Sequence, residues 1–166
     1  SWAAVGADYA EVATRLADMG FASLLCDYEG VGASSGTRSV RNLLPDAECL
    51  WAEALRRVDG DPRRVLIRAV SIGTLPAVQL VAHGARPRAL LLIAPVFPET
   101  VTMRFAQGYL NPLFWLASIF LFRPVARFDP CATIASAGVP CSALSSSHDP
   151  LLSDDERARL ASAVKA

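Results

Sequence analysis

Ser71 is the residue whose neighbours best suit a nucleophile. An apolar β-branched run, Val65-Leu66-Ile67, is interrupted by Arg68 and resumes at Ala69-Val70 just before it. Ile72-Gly73 follow, and then Leu75, Val78 and Val81 recur at helical spacing. A strand that stops at a Ser and turns at once into a helix lifts the hydroxyl above the sheet edge, which is the plan of a nucleophile elbow. The first N–H groups of that helix lack intrahelical acceptors and sit at the positive end of its dipole. They suit the negative oxygen formed when a Ser attacks a carbonyl. The usual elbow pattern is G-x-S-x-G, and here it reads Ala69-Val70-Ser71-Ile72-Gly73. Small flanking residues avoid collisions across the turn, and Ala is the mildest departure from Gly. Taken alone, the motif equally fits a Ser in an ordinary strand-to-helix turn.

The elements around it alternate. Ala7 to Met19 has the helical spacing Tyr9, Val12, Ala13, Leu16, Met19, with Gly20 as its stop. Phe21 to Tyr28 is a continuous apolar run that predicts a strand covered on both faces. Glu29 to Thr37 is a loop by its Gly and Ser content. Leu43, Ala47, Leu50, Trp51, Ala54, Leu55 and Val58 mark a long amphipathic helix that Gly60-Asp61-Pro62 breaks. After the elbow helix, Arg88 to Ala94 predicts a buried strand, Pro130 to Ala137 a short helix and Val139 to Ser145 another strand. Ser153-Asp154-Asp155-Glu156 has the form of a capping box opening a last helix. Such alternation predicts an α/β fold, a mostly parallel sheet with helices on both faces and right-handed crossovers. In these sheets ligands bind beyond the carboxyl ends of strands. Ser71, the Asp27–Gly36 loop, the Pro95 segment and Asp149 are all expected there.

Residues 95–128 differ from the rest. They hold Pro95, Pro98, Pro112 and Pro124 with most of the large aromatics, and they predict a helical, lid-like insertion. Its run 113–122, LFWLASIFLF, is too short to span a bilayer, which takes about 20 residues of helix. It is a candidate for membrane contact, and with Phe97, Phe105, Tyr109 and Trp115 for an apolar acyl-binding wall.

The 166 residues suffice for one domain with a sizeable core. Hydrophobic residues at 52% and charged residues at 19% exclude a disordered chain. A net charge of zero removes any general attraction to nucleic acid. Cys26, Cys49, Cys131 and Cys141 form no C-x-x-C pair and have no His at metal spacing. Cys26 and Cys141 lie in apolar runs as small hydrophobes, which points to a reducing, cytoplasmic location. No phosphate loop, G-x-G-x-x-G turn or metal cluster stands in the sequence, so no cofactor or metal is implied. The chain begins at Ser1 without a signal-peptide pattern and reads as an excised piece of a longer protein.

Three blocks together resemble the α/β-hydrolase superfamily. Asp27 to Gly36, DYEGVGASSG, is similar to the D-Y-R-G-x-G-x-S-x-G loop after the family's fourth strand. Ala69 to Gly73 is similar to its nucleophile elbow, and His148-Asp149-Pro150-Leu151-Leu152 resembles the block that supplies the acid after its seventh strand. The nearest branch is the serine aminopeptidase-like and lysophospholipase-like one. The resemblance implies one α/β-hydrolase domain over residues 1–166, incomplete at both ends, with 95–128 as an insertion. It implies a serine hydrolase: Ser71 attacks an ester, thioester or amide carbonyl, Asp149 orients the base, and Ile72 N–H is an oxyanion donor. An acyl-enzyme forms and water releases it. The implied partner is a small, apolar ester or acyl substrate.

Departures from the family accompany the match. Its base, a His after the eighth strand, and its second oxyanion donor are expected outside residues 1–166. His148 adjoins Asp149 and reads as a surface loop residue, and His83 reads as the end of the elbow helix. Arg68 stands where a central strand is normally apolar and calls for a partner or an edge position. It is either a binder of a substrate carboxylate or a mark of a decayed site. Glu29 replaces a common Arg, and Thr74 a common second Gly. Asp27 is expected to shape its loop through backbone hydrogen bonds. The rival to catalysis is a protein of the same fold that binds a small apolar ligand or a partner protein.

Overall fold

Leu90 and Leu92 alternate with Leu91 and Ile93 along β2 (Ala89–Ile93), and this alternation decides which face of the sheet is core. The computed structural model describes residues 9–98, 128–149 and 151–165, in two compact units, Ser1–Ala54 and Leu55–Ala166. In the second unit β2 is flanked by β1 (Leu66–Val70) and β3 (Cys141–Leu144), in the order β1-β2-β3, all parallel. The register pairs Ile67 with Leu90 and Ala69 with Leu92, and then Leu90 with Cys141 and Leu92 with Ala143. These six residues belong to one face and to one core.

Three helices supply the other side of that core. The elbow helix, Thr74–Ala82, is apolar nearly all round and buries Ala77, Val78 and Val81 in the cluster. Pro76 is tolerated because it lies in the first turn, where no intrahelical N–H bond is lost. The helix Pro130–Ser136 adds Cys131 and Ile134, and Asp154–Lys165 adds Leu160 and Ala163. Each of these two has an explicit start. Asp129 Oδ1 accepts from the N–H groups of Cys131 at 2.9 Å and Ala132 at 3.2 Å, with Pro130 as the first helical residue. The expected capping box forms: Glu156 accepts from Ser153 N–H at 2.8 Å, and Ser153 Oγ accepts from Glu156 N–H at 3.3 Å.

The opposite sheet face carries Leu66, Arg68 and Val70 from β1 and Ser142 and Leu144 from β3, with Leu66, Arg68, Ser142 and Leu144 exposed. Among the described residues β1 has a ladder partner on one side, β2, and Arg68 lies on the face away from the core cluster.

In the first unit the helix Ala10–Asp18 has no buried residue, and Leu43–Arg57 buries Leu43 and Ala47. After Leu43–Arg57 the chain turns at Asp59-Gly60, both with positive φ, where Gly60 N–H donates to Leu55 C=O at 2.8 Å. Phe21 to Tyr28 differs from expectation. It has no strand ladder among the described residues, and Phe21 and Leu25 are exposed. Apolar composition favours burial, but a strand needs a neighbouring backbone to bond. The run 113–122 and most of the insertion at 95–128 lie outside the described residues. Among the described residues no helix is long and apolar enough to cross a membrane.

Candidate active site

The chain leaves β1 in an extended conformation at Val70, φ −128° and ψ 131°. Ser71 then takes φ +52°, and Gly73 is already right-handed helical at φ −66° and ψ −15°. One residue therefore makes the whole turn. For a residue with a Cβ, left-handed backbone costs about 1–2 kcal/mol. A single 3₁₀ turn, Ser71–Gly73, runs into the elbow helix, so Ile72 N–H lies at the helix entry, where a peptide has no intrahelical acceptor. Ala69 is buried on the core side of β1, which accounts for a small residue at the first elbow position.

Thr74 is 2% exposed. Its hydroxyl donates to Ser71 C=O at 2.6 Å and accepts from Val96 N–H at 3.2 Å. The segment after β2 is thereby tied to the elbow. Ala94, the first residue after β2, also has a positive φ of 47°, and its N–H donates to Leu144 C=O at the end of β3 at 2.7 Å. Against the family pattern Thr74 is a departure from Gly. The available signal was a hydroxyl opening an otherwise apolar, buried helix, since such a group must find partners.

Asp149 follows β3 in a tight loop. Its Oδ1 accepts from Leu151 N–H at 2.9 Å, and its own N–H donates to Ser146 C=O at 3.2 Å. Arg157, from the last helix, binds this loop from below. Its guanidinium donates to the carbonyls of Ser146, Asp149 (3.2 Å) and Leu152 (2.9 Å). Ser71 and Asp149 thus both lie beyond strand carboxyl ends of one sheet, with β2 between their strands.

The histidines stand elsewhere. His83 caps the far end of the elbow helix, and His148 is exposed with Nδ1 3.0 Å from Ser147 Oγ. Among the described residues no group of three His, Cys, Asp or Glu could hold a metal ion. All four cysteines are free. Burial pushes the Cys141 thiol up to about 11, and burial also raises Cys131, both away from nucleophilic use.

In the first unit Asp27 shapes its loop as expected: it accepts from Ala33 N–H at 3.3 Å, and its C=O accepts from Ser34 Oγ at 2.6 Å. A Cβ on Gly30, which has φ +68°, would fall 2.3 Å from the backbone N of Arg38, so the loop needs that glycine. Glu29 takes the Thr37 N–H at 3.0 Å and the Asn42 amide at 2.6 Å, an internal role for the residue that replaces Arg. Burial, followed by the nearby Cys26 and Asp46, pushes the Tyr28 hydroxyl up to about 12.

A family model described as serine aminopeptidase, S33, matches residues 5–126. The human alpha/beta hydrolase domain-containing protein 17B is 38% identical over 81 residues, 45% of this chain and 28% of that protein. The Xenopus tropicalis alpha/beta hydrolase domain-containing protein 17C is 36% identical over 81 residues, 45% of this chain and 26% of that protein. The matches thus cover only about a quarter of the length of these curated relatives. No solved structure matches the chain significantly. The matched span contains the strand, the strained Ser and the helix that follows it, and the chain belongs to the serine aminopeptidase S33 family of the α/β-hydrolase superfamily.

Proposed function

We propose that the full-length protein is a serine hydrolase that cleaves carboxylic esters, or thioesters or amides, through an acyl-enzyme on Ser71. The observation that carries this reading is the backbone of Ser71. A residue with a Cβ is held at φ +52° directly between a strand and a helix, where the elbow demands it. In the reading, the Ser71 hydroxyl gives its proton to an imidazole as Oγ adds to the carbonyl carbon. The oxyanion is met by Ile72 N–H. The proton passes to the leaving group, and water repeats the sequence to release the acid. Asp149 orients the imidazole and stabilises its charged form.

Sheet spacing supports the pairing of these two residues. β1 and β3 are two ladder steps apart, about 10 Å. An imidazole between two hydrogen bonds of about 3 Å each fills such a gap. The aromatic-rich insertion at 95–128 supports an apolar acyl substrate. Its run 113–122 is the segment we assign to any membrane contact, and we assign the protein to the cytoplasm.

A second reading is a non-catalytic protein of this fold that binds a small apolar ligand or a partner. It is favoured by the histidines: His83 stands at the other end of a helix about 13 Å long, and His148 is exposed. Fluorophosphonate labelling of the full-length gene product, read by intact mass, separates the two. The hydrolase reading expects one adduct that Ser71→Ala abolishes. A folded protein that takes no adduct supports the binding reading.

A further inference from the structure

We infer that Thr74 is a positioning residue that locks the Ser71–Ile72 peptide so that Ile72 N–H faces the oxyanion. This rests on the hydrolase reading of Ser71. The peptide unit is planar and trans, so its C=O and N–H point in opposite directions. Ser71 C=O and Ile72 N–H are the two ends of one such unit. Whatever holds the carbonyl therefore aims the N–H.

The Thr74 hydroxyl holds that carbonyl at 2.6 Å. The hydroxyl cannot swing away, because its oxygen also accepts the Val96 N–H at 3.2 Å, and both Thr74 and Val96 are buried. A hydroxyl is both donor and acceptor, and here each capacity is used by a backbone group on a different side. Without it, the buried Val96 N–H loses its partner, and Ser71 C=O keeps only the Thr74 backbone N–H of the 3₁₀ turn. The elbow would then relax by rotating the peptide, since the positive φ of Ser71 is already a strained state. A rotated peptide presents its carbonyl, not its N–H, to the oxyanion.

Thr is suited to this task where Val is not. The two share a shape, so Thr74→Val keeps the packing of the helix entry and removes only the hydroxyl. Thr74→Ser keeps the hydroxyl and loses a methyl group.

The test compares fluorophosphonate labelling rates of the full-length wild type, Thr74→Val and Thr74→Ser across probe concentrations, with folding followed by circular dichroism. The lock predicts that the limiting labelling rate of Thr74→Val falls about 10-fold or more, toward the roughly 100-fold cost of losing one oxyanion donor. The half-saturating probe concentration stays unchanged. Thr74→Ser labels within about 3-fold of wild type, because the hydroxyl alone does the work. If Thr74→Val does not fold, Thr74→Ala against Thr74→Ser reads the same contrast. Wild type and Thr74→Val labelling at equal limiting rates would overturn the lock and leave the hydrolase reading standing. A wild type that takes no label overturns the hydrolase reading, and with it the role of Thr74.

Discussion

If the turn at Ser71 is strained, removing its Cβ should stabilise the protein while removing only its hydroxyl should not. The perturbation is the pair Ser71→Ala and Ser71→Gly. Ala keeps the Cβ that the left-handed backbone disfavours, at about 1–2 kcal/mol. Gly removes that cost but adds the entropy of a freer unfolded chain, about 0.5–1 kcal/mol relative to Ala. At φ +52° the difference favours Gly by about 0.5–1 kcal/mol. At an ordinary strand position the order reverses. Ser142 in β3 is exposed and serves as the control, where Gly should be less stable than Ala by about 0.5–1 kcal/mol. The assay is reversible urea unfolding of all four variants, compared at their midpoints with equal slopes. The contrast between the two sites then amounts to about 1–2 kcal/mol. Ser71→Ala proving as stable as Ser71→Gly, or more so, would refute the strain argument and remove the main support for an elbow.

Two further predictions concern the Ser146–Leu152 loop and the sheet. Arg157→Gln removes a guanidinium that binds three carbonyls of the Ser146–Leu152 loop from a largely buried position, and should cost about 1–2 kcal/mol by urea unfolding. It should also slow Ser71 labelling through Asp149, and an unchanged labelling rate would argue against Asp149 as the acid. The Cys141 thiol is raised by burial to about 11 from 9.0, so the unfolded chain releases that proton first. Its contribution to stability is complete below pH 9 and fades as the pH climbs toward 11. Stability measured across pH 8 to 11 should therefore fall more steeply in wild type than in Cys141→Ala, and parallel curves would contradict the burial of that thiol.

The parts of the fold that were legible in the sequence are those specified locally. The change from a β-branched run to helical spacing falls at Ser71, and the structure turns there. Ser153 and Glu156 are three residues apart, and their capping box forms without distant help. The Asp149 side chain likewise acts locally, its Oδ1 accepting Leu151 N–H two residues on. That bond does not compete with the proposed acid role, because a carboxylate has acceptor capacity for several donors. What the sequence hid is non-local. The ladder that Phe21 to Tyr28 lacks among the described residues depends on a neighbouring backbone and not on its own composition. The work of Thr74 depends on an N–H 22 residues further along the chain, so a family pattern shows only that Gly is replaced.

Strain and its restraint meet at one edge of this sheet. Among the described residues, Asp59, Ser71 and Ala94 are the non-glycine residues with positive φ. Asp59 sits beside Gly60 in a helix-ending turn and needs no other account. Ser71 and Ala94 are the first residues beyond β1 and β2, directly after the paired Val70 and Ile93. Strained backbone persists only where its surroundings over-determine it. Here the Thr74 hydroxyl joins the end of β1 to the end of β2, and Ala94 N–H joins β2 to β3. Leu92, 1% exposed, anchors the middle strand below them. A Ser that merely occupied a turn would require none of this, since Gly would satisfy the same φ without strain. The restraint built around Ser71 is therefore what the proposed nucleophile has and an incidental loop residue would not need.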